Sequence, residues 1–216
     1  MQSSSSVKLL GVTLDHKLTF NEHVNSLILK ASRQLNCIIR LSRTLSTDVK
    51  LLLYKSFILS NFNYCPAVWH HCGAANTKNL ERLQYRALKY VFNDFDATYE
   101  SLLSISNLPS LHLSRLRFIA CEVYKAINQN SPNFIKSMFS KPTHSYSLRS
   151  VESNKLCVQH SSSKLASQSF KNFSVNIWNA LPAEVRLSSN FPAFKKMIRN
   201  WQGPVCKCSM CNFQNV

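Results

Sequence analysis

The sequence predicts a mainly α-helical protein: a helical bundle with one short N-terminal β-strand and an irregular, serine-rich insert near residues 141–169. Three observations lead there. Apolar residues recur at helical spacing through most of the chain, and hydrophobic residues make up 45% of it, enough to bury a core. Glycine occurs three times in 216 residues, too rarely for Rossmann or P-loop architectures, whose backbones must approach phosphate closely. Ser, Thr, Asn and Pro fall where they would start and stop helices.

The elements follow in order. Val7 to Leu14 is β-branched and apolar around Gly11, which predicts a strand. Thr19 and Glu22 fit a capping box, with Thr19 or Asn21 as N-cap. A helix then runs to about Arg43, with Val24, Leu27, Ile28, Ala31, Leu35, Ile38 and Ile39 on one stripe. Ser46 to Asp48 offers the next cap, and Val49 to about Asn63 reads as a second helix. Its apolar residues Leu52, Leu53, Tyr54, Phe57, Ile58 and Phe62 go nearly all round, so it is expected to be central. Pro66 breaks the following segment, YCPAVWHHCG.

Asn76 to Phe92 is the third helix, with Leu80, Leu83, Ala87, Leu88 and Val91 inward. Thr98 caps a short helix to Ile105, and Ser110 caps a long one to about Gln129 that buries Leu113, Leu116, Ala120, Val123, Tyr124 and Ile127. Asn133 to Phe139 adds one or two turns. The polar stretch 141–169 is expected to be an irregular linker with a short strand at Leu156 to Gln159. Phe170 to Leu181 and Phe191 to Trp201 return to amphipathic helix, and Gly203-Pro204 ends the second.

Charge narrows the function classes. The chain carries 26 Lys and Arg against 10 Asp and Glu, a net charge of +16, which attracts polyanions, nucleic acid above all. No apolar run approaches the roughly 20 residues that span a bilayer, and MQSSSSVK lacks a signal core. An intracellular protein, cytoplasmic or nuclear rather than secreted, with no membrane partner and reduced cysteines, is expected. Lys30, Arg33, Arg40 and Arg43 fall opposite the apolar stripe of the first helix, and no acid interrupts them after Glu22. Lys78, Arg82, Arg86 and Lys89 do the same on the third helix, where Glu81 is the only acid. A helix face that serves only hydration usually mixes signs, so these eight cations are the candidate phosphate contacts.

Other chemistry is sparse. No G-x-S-x-G elbow and no distinguishable Cys/His/Asn set supports nucleophilic catalysis. Asp94-x-Asp96 is the only close aspartate pair, and its place at a helix end is better explained by capping. Cys206, Cys208 and Cys211 form a metal-like motif, yet they are three thiolates where a structural zinc site needs four ligands. Cys65, His70, His71 and Cys72 are a second, weaker set in a segment whose Trp69 reads as a core anchor. Phe62, Tyr64 and Trp69 could stack bases, but their apolar neighbours favour burial.

Several stretches, taken together and in order, resemble one family. They are LLGVTLDHKLTFNEHV at 9–24, KASRQLNCIIRL at 30–41, YCPAVW at 64–69, NLERLQYRALKYV at 79–91 and ATYESLL at 97–103. LSRLRFIACEVYKAIN at 113–128, YSLRS at 146–150, IWNALPAEVR at 177–186 and FKKMIRNW at 194–201 complete the set. The order resembles the region after the catalytic palm in LINE-type, jockey-like non-LTR retrotransposon reverse transcriptases, over roughly residues 7–201.

The resemblance implies a division into a remnant palm-edge strand at 1–15, a thumb-like helical and connection domain at 16–140, the linker at 141–169, a C-terminal helical segment at 170–203 and a cysteine-containing tail at 204–216. It also implies a non-catalytic part of an RNA-directed DNA polymerase. That polymerase's palm aspartates, which hold two Mg²⁺ ions, lie upstream of this region in the family, and this chain has no Asp-Asp pair. Expected partners are RNA, RNA–DNA hybrid or DNA and, in a full-length parent, the upstream palm. No cofactor is expected in the chain itself: Mg²⁺ belongs to the parent, and zinc would be confined to the C-terminal cysteines. Two alternatives stand beside this reading: a decayed or host-retained helical module that binds protein, and a small zinc-tailed adaptor.

Overall fold

A computed structural model describes residues 5–128, 131–142 and 154–204. It is mainly helical, and its described residues fall into two compact units that divide within one helix, between Ser114 and Arg115. Composition, by contrast, changes near residue 141.

The first unit opens with a hairpin. β1 (Ser6–Leu9) pairs antiparallel with β2 (Val12–Asp15), Leu9 opposite Val12 and Val7 opposite Leu14. The extended segment expected over Val7 to Leu14 is thus folded back on itself and supplies its own partner. Leu10 and Gly11 reverse the chain with φ of 45° and 85°, the paired left-handed geometry that matches strand twist in a two-residue loop. Glycine adopts this freely, whereas leucine is strained there. The Tyr64 hydroxyl holds it by donating to the Leu10 carbonyl at 2.6 Å.

β2 leads into α1 (Asn21–Arg40) through Asp15, and the capping box expected from Thr19 and Glu22 does not form. The N-cap is Phe20, left-handed at φ 57°, with no side-chain cap of its own. The Asp15 carboxylate collects the donors instead. It accepts the Lys17, Thr19 and Phe20 amides at 3.1, 3.0 and 2.7 Å and the Thr19 hydroxyl at 3.1 Å. A charged acceptor with two oxygens outcompetes one hydroxyl for these groups. Burial raises the Asp15 pKa, but the hydrogen bonds from Thr19, Phe20 and Lys17 outweigh it and hold it below the ordinary value.

Asp15→Ala is therefore expected to cost about 1 kcal/mol, the usual size of a lost N-cap. Because the folded pKa lies below the unfolded one, this stabilisation is present at neutral pH and is lost as pH falls through the folded value. Urea melts of variant and wild type should differ at pH 7 and converge in acid. Equal midpoints at pH 7 would show that the loop holds itself without the carboxylate.

Val24, Ala31 and Leu35 of α1 are fully buried and face α5 (Ala74–Phe92) and a π-helical segment. That segment, Tyr54–Leu59, lies between α2 (Thr47–Leu53) and α3 (Ser60–Phe62) in one helical run. Its buried residues Lys50, Tyr54, Ile58 and Phe62 recur every four positions. In a regular α-helix a four-residue step overshoots one turn by about 40°. The wider i→i+5 turn absorbs that drift and keeps the four side chains on one line. The run is not the central, all-round buried helix expected: Leu52 and Phe57 are 62% and 56% exposed. Lys50 is buried instead and donates to the Tyr90 carbonyl at 3.3 Å, near the C-terminal end of α5, where a cation suits the helix dipole.

α4 (Pro66–Trp69) seats the fully buried Trp69, whose indole N–H donates to the Tyr64 carbonyl at 3.0 Å. α6 (Tyr99–Ser106) starts where Thr98 accepts the Ser101 amide at 3.3 Å, and the first turn of α7 (Leu111–Asn128) where Ser110 accepts the Leu113 amide at 3.1 Å. Both are the caps expected.

The second unit holds the rest of α7, α8 (Asn133–Lys136), α9 (Lys164–Ser167), α10 (Phe170–Asn179), α11 (Ala183–Arg186) and α12 (Phe191–Ile198). Its core centres on Phe194, stacked on Trp178 with centroids 5.9 Å apart and 4.5 Å from the Tyr124 ring. The stretch IWNALPAEVR is a folding device. Buried Arg186 turns back to donate to the carbonyls of Asn179 and Leu181, the chain leaving α10. No strand forms at Leu156 to Gln159. Asn179 takes a strand's place there, its side-chain amide exchanging two 2.9 Å hydrogen bonds with the Leu156 backbone.

Candidate nucleic-acid interface

Two helices of the first unit carry the candidate cations. Lys30, Arg33 and Arg40 follow one ridge of α1, and all three are exposed because the buried stripe occupies the opposite side. Arg43 is exposed in the turn beyond the helix. On α5, Lys78, Arg82, Arg86 and Lys89 form a second ridge. Arg82 and Arg86 are exposed, and Lys78 and Lys89 are half-buried along their stems. α1 and α5 pack on one another.

Both ridges lack neutralising acids. The one acid of α5, Glu81, is fully buried. Among the described residues the ion pair formed is Lys125 with Glu122 at 2.8 Å, in the second unit, and none of the eight cations takes part in one. Lys30, Arg33, Arg40, Arg43 and Arg82 are exposed and carry their charges unpaired among the described residues.

Glu81 shows why its ridge is bare. Its carboxylate accepts the Leu111 and His112 amides at 3.1 and 2.6 Å, at the N-terminus of α7, and the Tyr99 hydroxyl at 2.5 Å. Helix ends present unpaired amides and a partial positive charge, so a buried carboxylate is well placed there. The sequence carried a signal for this. Thr77, Glu81, Gln84 and Leu88 share one helical line, and all four are buried.

Of the three aromatic residues weighed in the sequence, Phe62 and Trp69 follow the expectation of burial and Tyr64 departs from it. Phe62 and Trp69 are buried and cannot meet a base. Tyr64 is half-exposed but clamps the hairpin turn. The rings beside the cations are Tyr85, Tyr90 and Phe95, which sequence reasoning missed. Lys89 Nζ lies 4.4 Å from the Tyr85 centroid, and Arg86 Cζ lies 6.0 Å from that of Tyr90. Both pairs sit at i,i+4 spacing, a signal legible in the sequence.

The aspartates do not fit a two-metal site. Asp15 fastens the turn that leads into α1, Asp48 lies in the first turn of α2, and Asp94 Oδ1 accepts the amides of Asp96 and Ala97 at 3.2 and 2.9 Å to build a turn. The histidines do cluster. His70 stacks on His112 at 5.4 Å and meets His71 edge-on at 4.9 Å. Burial pushes the His71 pKa down to about 4, which leaves it neutral at physiological pH. Cys72 Sγ lies 3.8 Å from the Thr77 hydroxyl. Among the described residues, Cys65, His70, His71 and Cys72 included, no three His, Cys, Asp or Glu side chains are arranged to hold a metal ion. Cys206, Cys208 and Cys211 lie outside the described residues, as does the stretch YSLRS.

No helix among the described residues is long and apolar enough to cross a membrane. Comparison of the whole chain with protein-family models, with curated proteins and with solved structures finds no match.

Proposed function

We propose that this chain grips nucleic acid without performing chemistry on it, as the post-palm part of a LINE-type retrotransposon reverse transcriptase. One observation carries the reading: two helices that pack together present cationic ridges with no ion pair among the described residues. Lysine and arginine held to solvent in this way meet phosphate oxygens and displace condensed counterions, which gives affinity without sequence readout. The ordered resemblance supplies the polymerase setting, and RNA–DNA hybrid is the ligand such a thumb would hold. Two-metal phosphoryl transfer would belong to an upstream palm, since the aspartates here serve caps and turns.

Anisotropy of a labelled RNA–DNA hybrid, titrated between 50 and 200 mM salt, tests this. The logarithm of the association constant should fall linearly with the logarithm of salt, with a slope between about −3 and −7 for four to eight phosphate contacts. Duplexes of different sequence should bind alike, and template-primer extension with Mg²⁺ or Mn²⁺ should give no product. Absence of binding at 50 mM salt would overturn the reading. It would favour a protein-binding module instead, for which the exposed Leu52 and Phe57 offer an apolar surface.

A further inference from the structure

We propose that the C-terminal end of α5 and the loop after it form a stacking platform for the unpaired bases of a single-stranded nucleic acid. This rests on the reading above and extends it from the phosphate backbone to the base faces. Phe95 is the starting point. Its ring is 49% exposed and meets Tyr90 edge to face at 5.1 Å. An aromatic side chain half in water forgoes much of the stabilisation that burial would give it.

The loop is held in this state by its own hydrogen bonds. Asn93 ends α5 in the left-handed region at φ 54°, and the amides of Asn93 and Asp94 both donate to the Lys89 carbonyl. Asp94 Oδ1 ties down the next turn, and the Tyr85 hydroxyl donates to the Ala97 carbonyl at 2.9 Å. The backbone from 93 to 97 is therefore fastened at both ends, with the Phe95 ring turned outward.

Cations frame the rings. Arg86 lies over Tyr90 and Lys89 over Tyr85. A base stacked on Phe95, with Tyr90 standing edge-on beside it, would bring its flanking phosphates toward Arg86 and Lys89. The opposing charges in the loop are Asp94, already bonded to its own backbone, and exposed Asp96. Asp96 repels phosphate and so directs the strand's backbone to the cationic side. A duplex keeps its base faces covered, whereas a single strand offers one per nucleotide, and stacking of this kind tolerates any sequence.

The test compares a single-stranded oligonucleotide with a blunt RNA–DNA hybrid, using wild type, Phe95→Ala and Phe95→Tyr. Phe95→Ala should weaken single-strand binding by roughly five- to a hundredfold, the range for one lost base–aromatic stack. It should leave hybrid binding within about twofold, as stacking contributes nothing there. Phe95→Tyr should restore the wild-type value. In the unaltered chain, 4-thiouridine in the oligonucleotide should photocrosslink to Tyr90 or Phe95, a readout that needs no variant to fold. Single-strand affinity unchanged in Phe95→Ala, with no crosslink in this loop, would overturn the platform while leaving the hybrid reading intact. Loss of both ligands by wild type would overturn the two together.

Discussion

Glu81→Ala should destabilise the first unit by about 3–5 kcal/mol, since it removes the acceptor of two buried amides and one part-buried hydroxyl, at about 1–3 kcal/mol for each buried group. Those donors are the Leu111 and His112 amides and the Tyr99 hydroxyl. Glu81 itself has no exposed surface, so water cannot enter to replace the lost oxygens without opening the core. Against a typical net stability of about 5–15 kcal/mol, the loss is large. Glu81→Gln keeps one carbonyl oxygen and the side-chain volume, and should cost about half as much. Chemical denaturation followed by far-UV circular dichroism measures both. Native-state hydrogen exchange should show the Leu111 and His112 amides losing protection first. If the two variants match wild type, the start of α7 is held by other contacts and the carboxylate is incidental.

Reversing Arg33, Arg40 and Arg82 to glutamate together should weaken nucleic-acid binding by about a hundredfold at 0.15 M salt. Three lost phosphate contacts remove about 2–2.7 from the salt slope, which sets that factor. The loss should be the same on every sequence, because the contacts are to backbone. All three side chains are exposed and outside ion pairs, so folding should change little. Arg40 stands in the last turn of α1, where an acid opposes the helix dipole, and it contributes a few tenths of a kcal/mol at most. An unchanged salt slope would mean that these residues only hydrate their helices.

Local signals were readable in the sequence and non-local ones were not. Thr98 and Ser110 act within three residues of themselves, and both were identified as caps. The apolar stripes of α1 and α5 were legible for the same reason: helical periodicity needs no partner to be seen. Asp15 was missed because its role depends on the hairpin delivering it beside Phe20, and the nearer Thr19 and Glu22 matched a known pattern. Glu81 looked like one acid among cations until α7 was brought against it from 30 residues away. Leu156 read as part of a strand because apolar extended backbone looks alike whether its partner is another strand or, as here, one asparagine side chain. Seven of the eight cations stand on the helices expected, and Arg43 falls just beyond the end of α1. The rings that lie beside them, Tyr85 and Tyr90, were not foreseen, although their i,i+4 spacing from Lys89 and Arg86 is visible in the sequence.

The wide turn at Tyr54–Leu59 has a bearing on how this gene can vary. A core counted out in fours, from Lys50 through Tyr54 and Ile58 to Phe62, depends on how many residues lie between its anchors as well as on which residues they are. An added codon inside this stretch would swing Phe62 by about 100° away from the line it now shares with Lys50, whereas loss of one would let the run relax to an ordinary α-helix with Phe62 only about 20° off that line. Exchanges at exposed Leu52 or Phe57, by contrast, leave the count untouched. Among related sequences, this segment should therefore tolerate changes of spelling on its outer side far more readily than an added residue, and the loss of one residue should go together with loss of the wide turn.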